Sequence, residues 1–241
     1  MVTITLDRPP LNVLNIEMME ELIIALRWAG EQPEPLVAIT GEGKAFSAGV
    51  DISDHTPDKV EMMIDVFDRL FLTMAEIEKP IVALVNGAAL GGGYEIVLFC
   101  DMVVASEKAK LGQPETKVGV FPPIACYILP RLLSWPLAME IILSGDIIDA
   151  ARAEQIGLVN KVIPAENFNE GAQEFLRRFS ELSPTVLAYA KKAALAGIGK
   201  DFAEGLKAID RIYLDELMKT NDAVEGLQAF MEKRKPVWRG K

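Results

Sequence analysis

A single carboxylate set inside an otherwise uncharged stretch constrains this chain more than any other feature. From Pro80 to Asp101 the sequence reads PIVALVNGAALGGGYEIVLFCD, and Glu95 is the only carboxylate between Lys79 and Asp101. An apolar run rich in β-branched residues, then a glycine-bearing turn, then a second apolar segment read as strand, tight loop and buried helix. Burying a carboxylate there without a partner costs several kcal/mol, so the fold has to supply one. The three glycines Gly91 to Gly93 let a ligand approach the backbone closely, and their N–H groups fall where a helix N-terminus gathers partial positive charge. The stretch therefore offers an anion site beside a carboxylate. The plainer alternative is a set of tight turns leading into a core helix.

With 241 residues, half of them hydrophobic, the chain can bury a large core and fits one substantial domain with a small appendage. No apolar run is long enough to span a bilayer, and Met1 to Asp7 lacks the basic-then-apolar form of a signal peptide. A soluble protein of the cytoplasm or a similarly reducing compartment is expected. Cys100 and Cys126, both in apolar surroundings, read as buried thiols rather than a disulfide or a metal site. With His55 as the one histidine, a histidine-based metal centre or a Ser/His/Asp triad is hard to build. A net charge of −10 argues against general binding to nucleic acid or anionic membranes, although the last ten residues, Glu232 to Lys241, are strongly basic.

Val2 to Leu6 alternates as a strand does, and Pro9 and Pro10 stop it. Asn15 can cap a helix over Glu17 to Gln32. Leu36 to Thr40 reads as a buried strand, and Gly41 to Asp51 as a loop of small residues that is neither a Walker loop nor a dinucleotide fingerprint. Thr56 and Pro57 predict the start of a helix running to about Glu78, its apolar residues spaced by threes and fours as a core-facing stripe. A strand over Met102 to Ala105 and a long loop from Lys110 to Pro123 follow. Helices are expected over Ala125 to Leu133, Pro136 to Leu143 and Ala150 to Ile156, with a last strand from Leu158 to Ile163. Beyond Pro164 the pattern is helical nearly to the end. The reading is an α/β core with an all-helical C-terminal portion.

Several runs together resemble the successive signatures of the enoyl-CoA hydratase/isomerase, or crotonase, family. They are KAFSAGVDI from Lys44, NGAALGGGYE from Asn86 and LGQPE from Leu111, followed by LSGD from Leu143, AEQIGLV from Ala153 and FMEKR from Phe230. The resemblance covers nearly the whole chain. It implies an α/β spiral of ββα turns over residues 1–180 and an all-helical region over 181–241 that trimerises, commonly as a dimer of trimers. Periodicity by itself suits a doubly wound sheet equally well. The resemblance also places two oxyanion-hole N–H donors on Val50 and Gly92, and the two catalytic glutamates on Glu95 and Glu115. It assigns coenzyme A, as part of the substrate rather than a separate cofactor, to Lys44, Ala45, Phe46 and Ala48, with Phe230 and Lys233 reaching the ligand of a neighbouring subunit. The alternative for that basic segment is an ordinary solvated tail. Tyr94, Phe121, Pro122, Pro123 and His55 are candidates for the substrate pocket, and no metal is implied.

The chemistry suits these residue types. A thioester oxygen gains charge as it becomes an enolate, and two fixed backbone donors stabilise that charge without reorganising. Two carboxylates around one water can take its proton while delivering another to the α-carbon. Glu115 is expected to be the donor to carbon, and Glu95 to orient the water and share in its activation. Two features depart from the common pattern. Val120 to Cys126 (VFPPIAC) carries two prolines where relatives are glycine-rich, which stiffens the acyl pocket wall. This loop, with Arg8 to Asn15 and Gly49 to Thr56, is similar to the cyclohexa-1,5-diene-1-carbonyl-CoA hydratases of anaerobic benzoyl-CoA breakdown. The family also usually has a strand ahead of the one at Val2 to Leu6. Rival functions are isomerisation or hydrolysis on the same scaffold, and a non-catalytic CoA- or RNA-binding module.

Overall fold

The computed structural model describes residues 1–240, so Lys241 of the basic tail lies outside the described residues. Strand β1 (Val2–Leu6) leads to helix α1 (Ile16–Glu31), capped by the Asn15 side chain, which accepts from the Met18 amide. Strand β2 (Val37–Gly41) turns at once into β3 (Ala45–Ser47) and is followed by α2 (Val60–Glu76). The same order recurs as β4 (Ile81–Val85), β5 (Ala88–Leu90) and α3 (Gly92–Phe99). It recurs again as β6 (Met102–Ser106) and β7 (Lys110–Gly112), with a 3₁₀ turn over Pro114–Val118 standing where a helix stood before. Helices α4 (Pro123–Leu132) and α5 (Trp135–Ser144), strand β8 (Ile147–Asp149), helix α6 (Ala150–Gln155) and strand β9 (Lys161–Ile163) complete the mixed portion. Then come α7 (Phe168–Ser180), α8 (Pro184–Ala196), α9 (Phe202–Arg211) and α10 (Asn221–Met231).

The strands form two sheets, one parallel in the order β1-β2-β4-β6-β9, the other in the order β3-β5-β7-β8 with only its last pair antiparallel. Each new strand of the first sheet adds to the same edge. A doubly wound sheet reverses direction at a switch point, so this order marks a one-way spiral. Two turns of the spiral, β2-β3-α2 and β4-β5-α3, lay one strand in each sheet and then a helix, and the next lays β6 and β7 before the 3₁₀ turn. Both faces of the first sheet are covered: Val37, Ile39, Ile81, Ala83 and Val103 face the main core with α1 and α2, while Ala38, Val82, Leu84 and Val104 pack against Phe168, Ala172 and Leu176 of α7. Burial on both faces explains the near-continuous apolar strands.

Sequence expectations are corrected at several places, and the loop read over Gly41 to Asp51 contains β3. Helix α2 starts at Val60, not Thr56, because the Thr56 carbonyl accepts from both Lys59 and Val60 amides and closes a turn first. The strand expected over Leu158 to Ile163 shrinks to β9, since the Leu158 and Val159 amides both turn back to the Ala153 carbonyl. The loop from Lys110 to Pro123 contains β7 and the 3₁₀ turn. Strand β5, inside the turn after β4, was not expected at all. β5 and β7 each have three residues, too few to show a period.

Candidate active site

The second sheet delivers the site to the N-terminus of α3. The Gly91 amide is spent on the Gly112 carbonyl at 3.0 Å, pairing β5 to β7, and the chain then enters the helix. The Gly92 N–H is among the first donors of α3 and has no intrahelical partner to reach. Across from it, Val50 follows β3 and bridges Leu14 in parallel. In that bridge the Leu14 amide bonds the Gly49 carbonyl and the Asp51 amide bonds the Leu14 carbonyl, each at 2.8 Å, so the N–H of Val50 itself points away from Leu14. Among the described residues, neither the Val50 nor the Gly92 N–H has a hydrogen-bond acceptor. The two residues touch: a β-carbon on Gly92 would stand 2.6 Å from Val50 Cγ2.

Glu115 enters from the 3₁₀ turn after β7. A β-carbon on Gly91 would lie 2.7 Å from Glu115 Oε1, so the carboxylate packs directly on the start of α3. Residues 91 and 95 are one turn apart on the same face, joined by the Glu95 amide to the Gly91 carbonyl at 2.9 Å. Glu95 therefore faces the same spot. It is 2% exposed, and its Oε1 accepts from the Ile124 and Ala125 amides at 2.7 and 2.9 Å. Burial pushes its pKa up to about 8, against those two amides and with help from the nearby Glu115 charge. Burial likewise pushes Glu115 up to about 7. Burial and then both glutamate charges raise the Cys126 thiol.

The side-chain amide of Gln113, fully buried, meets both Glu115 oxygens. Turned so that both groups are satisfied, its nitrogen donates to them at 3.1 and 3.2 Å. Sequence reading quoted Gln113 within its motif but gave it no part. It also missed the Ile124 and Ala125 amides, because backbone donors have no side-chain signature. The other sequence candidates are distributed as follows. Lys44 is exposed ahead of β3, Ala45 and Phe46 are buried, and Ala48 is half-buried with its amide on the Leu11 carbonyl. Tyr94 is fully buried with a hydroxyl that has no partner. Phe121 is exposed, Pro122 buried, and His55 half-buried with Nδ1 3.0 Å from the Asp51 carbonyl. Phe230 and Lys233 stand exposed at the end of α10, and no hydrogen bond or ion pair links their side chains to the glutamate pair. A cavity of about 1290 Å³ opens between the ends of α1 and α2 and helix α8; neither glutamate lines it. No helix among the described residues is long and apolar enough to cross a membrane.

Two raised carboxylates beside two unspent amides can polarise a carbonyl and move protons at its neighbouring carbons. Known proteins resemble this chain over nearly its whole length. The Enoyl-CoA hydratase/isomerase family profile matches residues 1–241. The mitochondrial enoyl-CoA hydratase of Pongo abelii is 37% identical over 239 residues, covering 96% of this chain and 81% of that protein. The cyclohexa-1,5-dienecarbonyl-CoA hydratase of Thauera aromatica is 33% identical over 234 residues, covering 97% and 90%. The crystal structure of an enoyl-CoA hydratase from Bacillus anthracis superposes with a TM-score of 0.93 at 34% identity, covering 99% of this chain and 95% of that one. The chain belongs to the enoyl-CoA hydratase/isomerase family, and its one-way ββα spiral is the crotonase fold.

Proposed function

We infer that this protein adds water reversibly across the α,β double bond of an enoyl-CoA thioester. The observation that carries this reading is the meeting of Glu95 and Glu115, both with raised pKa values, at the helix start that also presents the free Gly92 amide beside Val50. The thioester oxygen accepts from the Val50 and Gly92 N–H groups, and each such donor is typically worth about 3 kcal/mol of barrier. A water held between the carboxylates gives up a proton as its oxygen bonds the β-carbon. The electron pair of the double bond moves into the enolate, and a carboxyl proton then reaches the α-carbon. Glu95, pinned through Oε1 by two amides, suits the role of holding the water. Glu115 is the donor to carbon. Every step uses residues of this chain.

A cyclic dienoyl thioester is the narrower substrate. Pro122 and Pro123 stiffen one wall. Val50 Cγ2 and the Phe67 ring, 2.6 and 3.2 Å from where a β-carbon on Gly92 would sit, pack closely around that glycine. Lys44 and the β3 backbone take the CoA. The chain assembles in the cytoplasm as a trimer or a dimer of trimers, and the apolar Phe202, Leu214, Leu227 and Phe230 left exposed in the C-terminal portion support the assembly. Light scattering on the purified protein reports the assembly.

A panel of linear and cyclic enoyl-CoA thioesters scored by mass spectrometry for gain of one water tests the chemistry. Hydration of the cyclic diene is expected. Turnover of straight-chain substrates alone removes the cyclic assignment, and binding without any turnover removes the enzyme reading. Glu95→Gln separates hydratase from one-base isomerase: most hydration is lost, whereas an isomerase keeps much of its rate.

A further inference from the structure

The amide assigned to the oxyanion hole at Val50 lies on a short irregular segment, not within a sheet, so something else must fix its direction. Residues 8–16 run alongside it. Asn12, 2% exposed and with φ of +53°, turns its side-chain nitrogen onto the carbonyls of Glu42, Ala45 and Phe46 at 2.9, 2.9 and 3.2 Å, while its Oδ1 takes the Arg8 amide at 3.0 Å. The Ala48 amide bonds the Leu11 carbonyl at 3.0 Å, and Leu14 bridges Val50 on both sides. Arg8 then closes the arrangement, with one guanidinium nitrogen on the Val13 carbonyl at 2.9 Å and two on Asp51 Oδ2 at 3.3 Å. Just beyond, Asp54 Oδ2 accepts from the Ile16 amide at 3.1 Å. Residues 45, 46, 48, 49, 51 and 54 are thus each tied to the same neighbouring stretch, with Val50 among them.

We propose that Arg8, Asn12 and Asp51 are positioning residues that aim the Val50 N–H at the substrate oxygen, with residues 8–16 as a splint along the segment. The inference rests on the hydratase reading, since only an oxygen that gains charge makes the direction of that amide matter. The Val50 N–H shares its peptide plane with the Gly49 carbonyl, which the Leu14 amide holds at 2.8 Å, and the Leu14 amide shares its plane with the Val13 carbonyl, which Arg8 holds while Asp51 anchors the guanidinium. Ser53, through its hydroxyl and amide, and then Arg8 hold the Asp51 carboxyl below the usual range. It is therefore anionic wherever Glu95 and Glu115 titrate, and the splint does not itself switch with pH in that window.

Arg8 and Asp51 side chains are partly exposed, 40% and 25%, so the fold survives their replacement. Arg8→Gln and Asp51→Asn are each expected to lower kcat about ten-fold with KM within about two-fold, a fraction of the loss for deleting a donor. The double variant is expected to be no worse than either single one, since both remove one interaction. Arg8→Lys is expected to recover most of the rate. The pH limbs stay in place while the plateau drops. The direct readout is the carbonyl stretch of a bound, carbon-13-labelled saturated acyl-CoA: the wild type shifts it to lower frequency, and the Gln variant moves it back toward the free value. An active wild type with variants matching it in kcat and stretch overturns the inference alone. Loss of rate that only follows the fraction unfolded, with an unchanged stretch, also overturns it. A wild type that hydrates no enoyl thioester overturns the functional reading and this inference together.

Discussion

Glu115 and Glu95 carry pKa values near neutrality, about 7 and about 8, because burial disfavours the anion more than their hydrogen bonds favour it. The two charges interact, so the pair sheds its protons in two macroscopic steps, and the form with one shared proton dominates between them. Opposed acid and base catalysis needs that form. The expected kcat/KM therefore rises through the lower value, peaks between about pH 7 and 8, and falls through the upper. Initial rates across that range check it, and a monotonic climb to high pH contradicts a shared proton. Gly91 fixes where one of these carboxylates sits. At φ of +52° it occupies backbone space that other residues enter at about 1–3 kcal/mol, and an added β-carbon would meet Glu115 Oε1 at 2.7 Å. Gly91→Ala is expected to cut kcat by about a hundred-fold, the usual scale for a carboxylate displaced by about 1 Å. Steady-state kinetics beside a melting curve separate that displacement from unfolding.

At the scale of elements, Glu95 also serves as the cap of a helix that begins 28 residues after it. Helix α4 opens on Pro122 and Pro123, neither of which offers a side-chain acceptor, and its Ile124 and Ala125 amides bond Glu95 instead. Glu95→Ala leaves the part-buried Ile124 amide and the buried Ala125 amide unpaired and is expected to cost about 1–3 kcal/mol. Glu95→Gln keeps the acceptor and removes the charge. The raised carboxyl holds its proton in the folded protein up to about pH 8, while the unfolded chain releases it near the ordinary 4.5. The folded state binds more protons across that window, so the contribution of this group to stability is full below it and is lost as pH rises through it. Urea midpoints of wild type and Glu95→Gln are therefore expected to agree near pH 5, with the variant ahead near pH 9 by on the order of a few kcal/mol. A gap that does not open with pH contradicts the raised carboxyl. The sequence announced that Glu95 needed a partner, because nothing charged stood near it, but gave no sign of which amides would serve. It showed α1 and the body of α2 through their three-and-four spacing. The direction of winding was hidden because strands buried on both faces read alike in either topology, and the tie from Arg8 to Asp51 spans 43 residues with no periodic trace.

For the whole molecule, the question is what the basic tail does once folded. It does not hang free: Arg234 pairs with Glu225 at 2.6 Å and with Glu232, and the Trp238 indole donates to the Glu181 carbonyl at 2.9 Å. The fastening point is Asp222, 1% exposed in the first turn of α10, which accepts from the Ser183 hydroxyl at 2.6 Å and from the Arg239 and Gly240 amides at 2.8 and 3.1 Å. One carboxylate thus joins the start of α8, the start of α10 and the chain end. Asp222→Ala leaves these donors unpaired, a loss of about 1–3 kcal/mol, and frees a segment carrying Lys233, Arg234, Lys235 and Arg239. Trypsin is expected to cut the variant within this segment at least several-fold faster than the wild type, as read by mass spectrometry, because cleavage follows the population of the opened strand. The same strap sets the end of α10, where Phe230 and Lys233 stand. If those two reach the CoA of a neighbouring subunit, loosening the strap raises KM for the thioester several-fold and leaves kcat alone, since no strap residue touches the carboxylate pair. An unchanged KM in a variant that trypsin opens readily would remove the tail from substrate binding and leave it as a structural clasp.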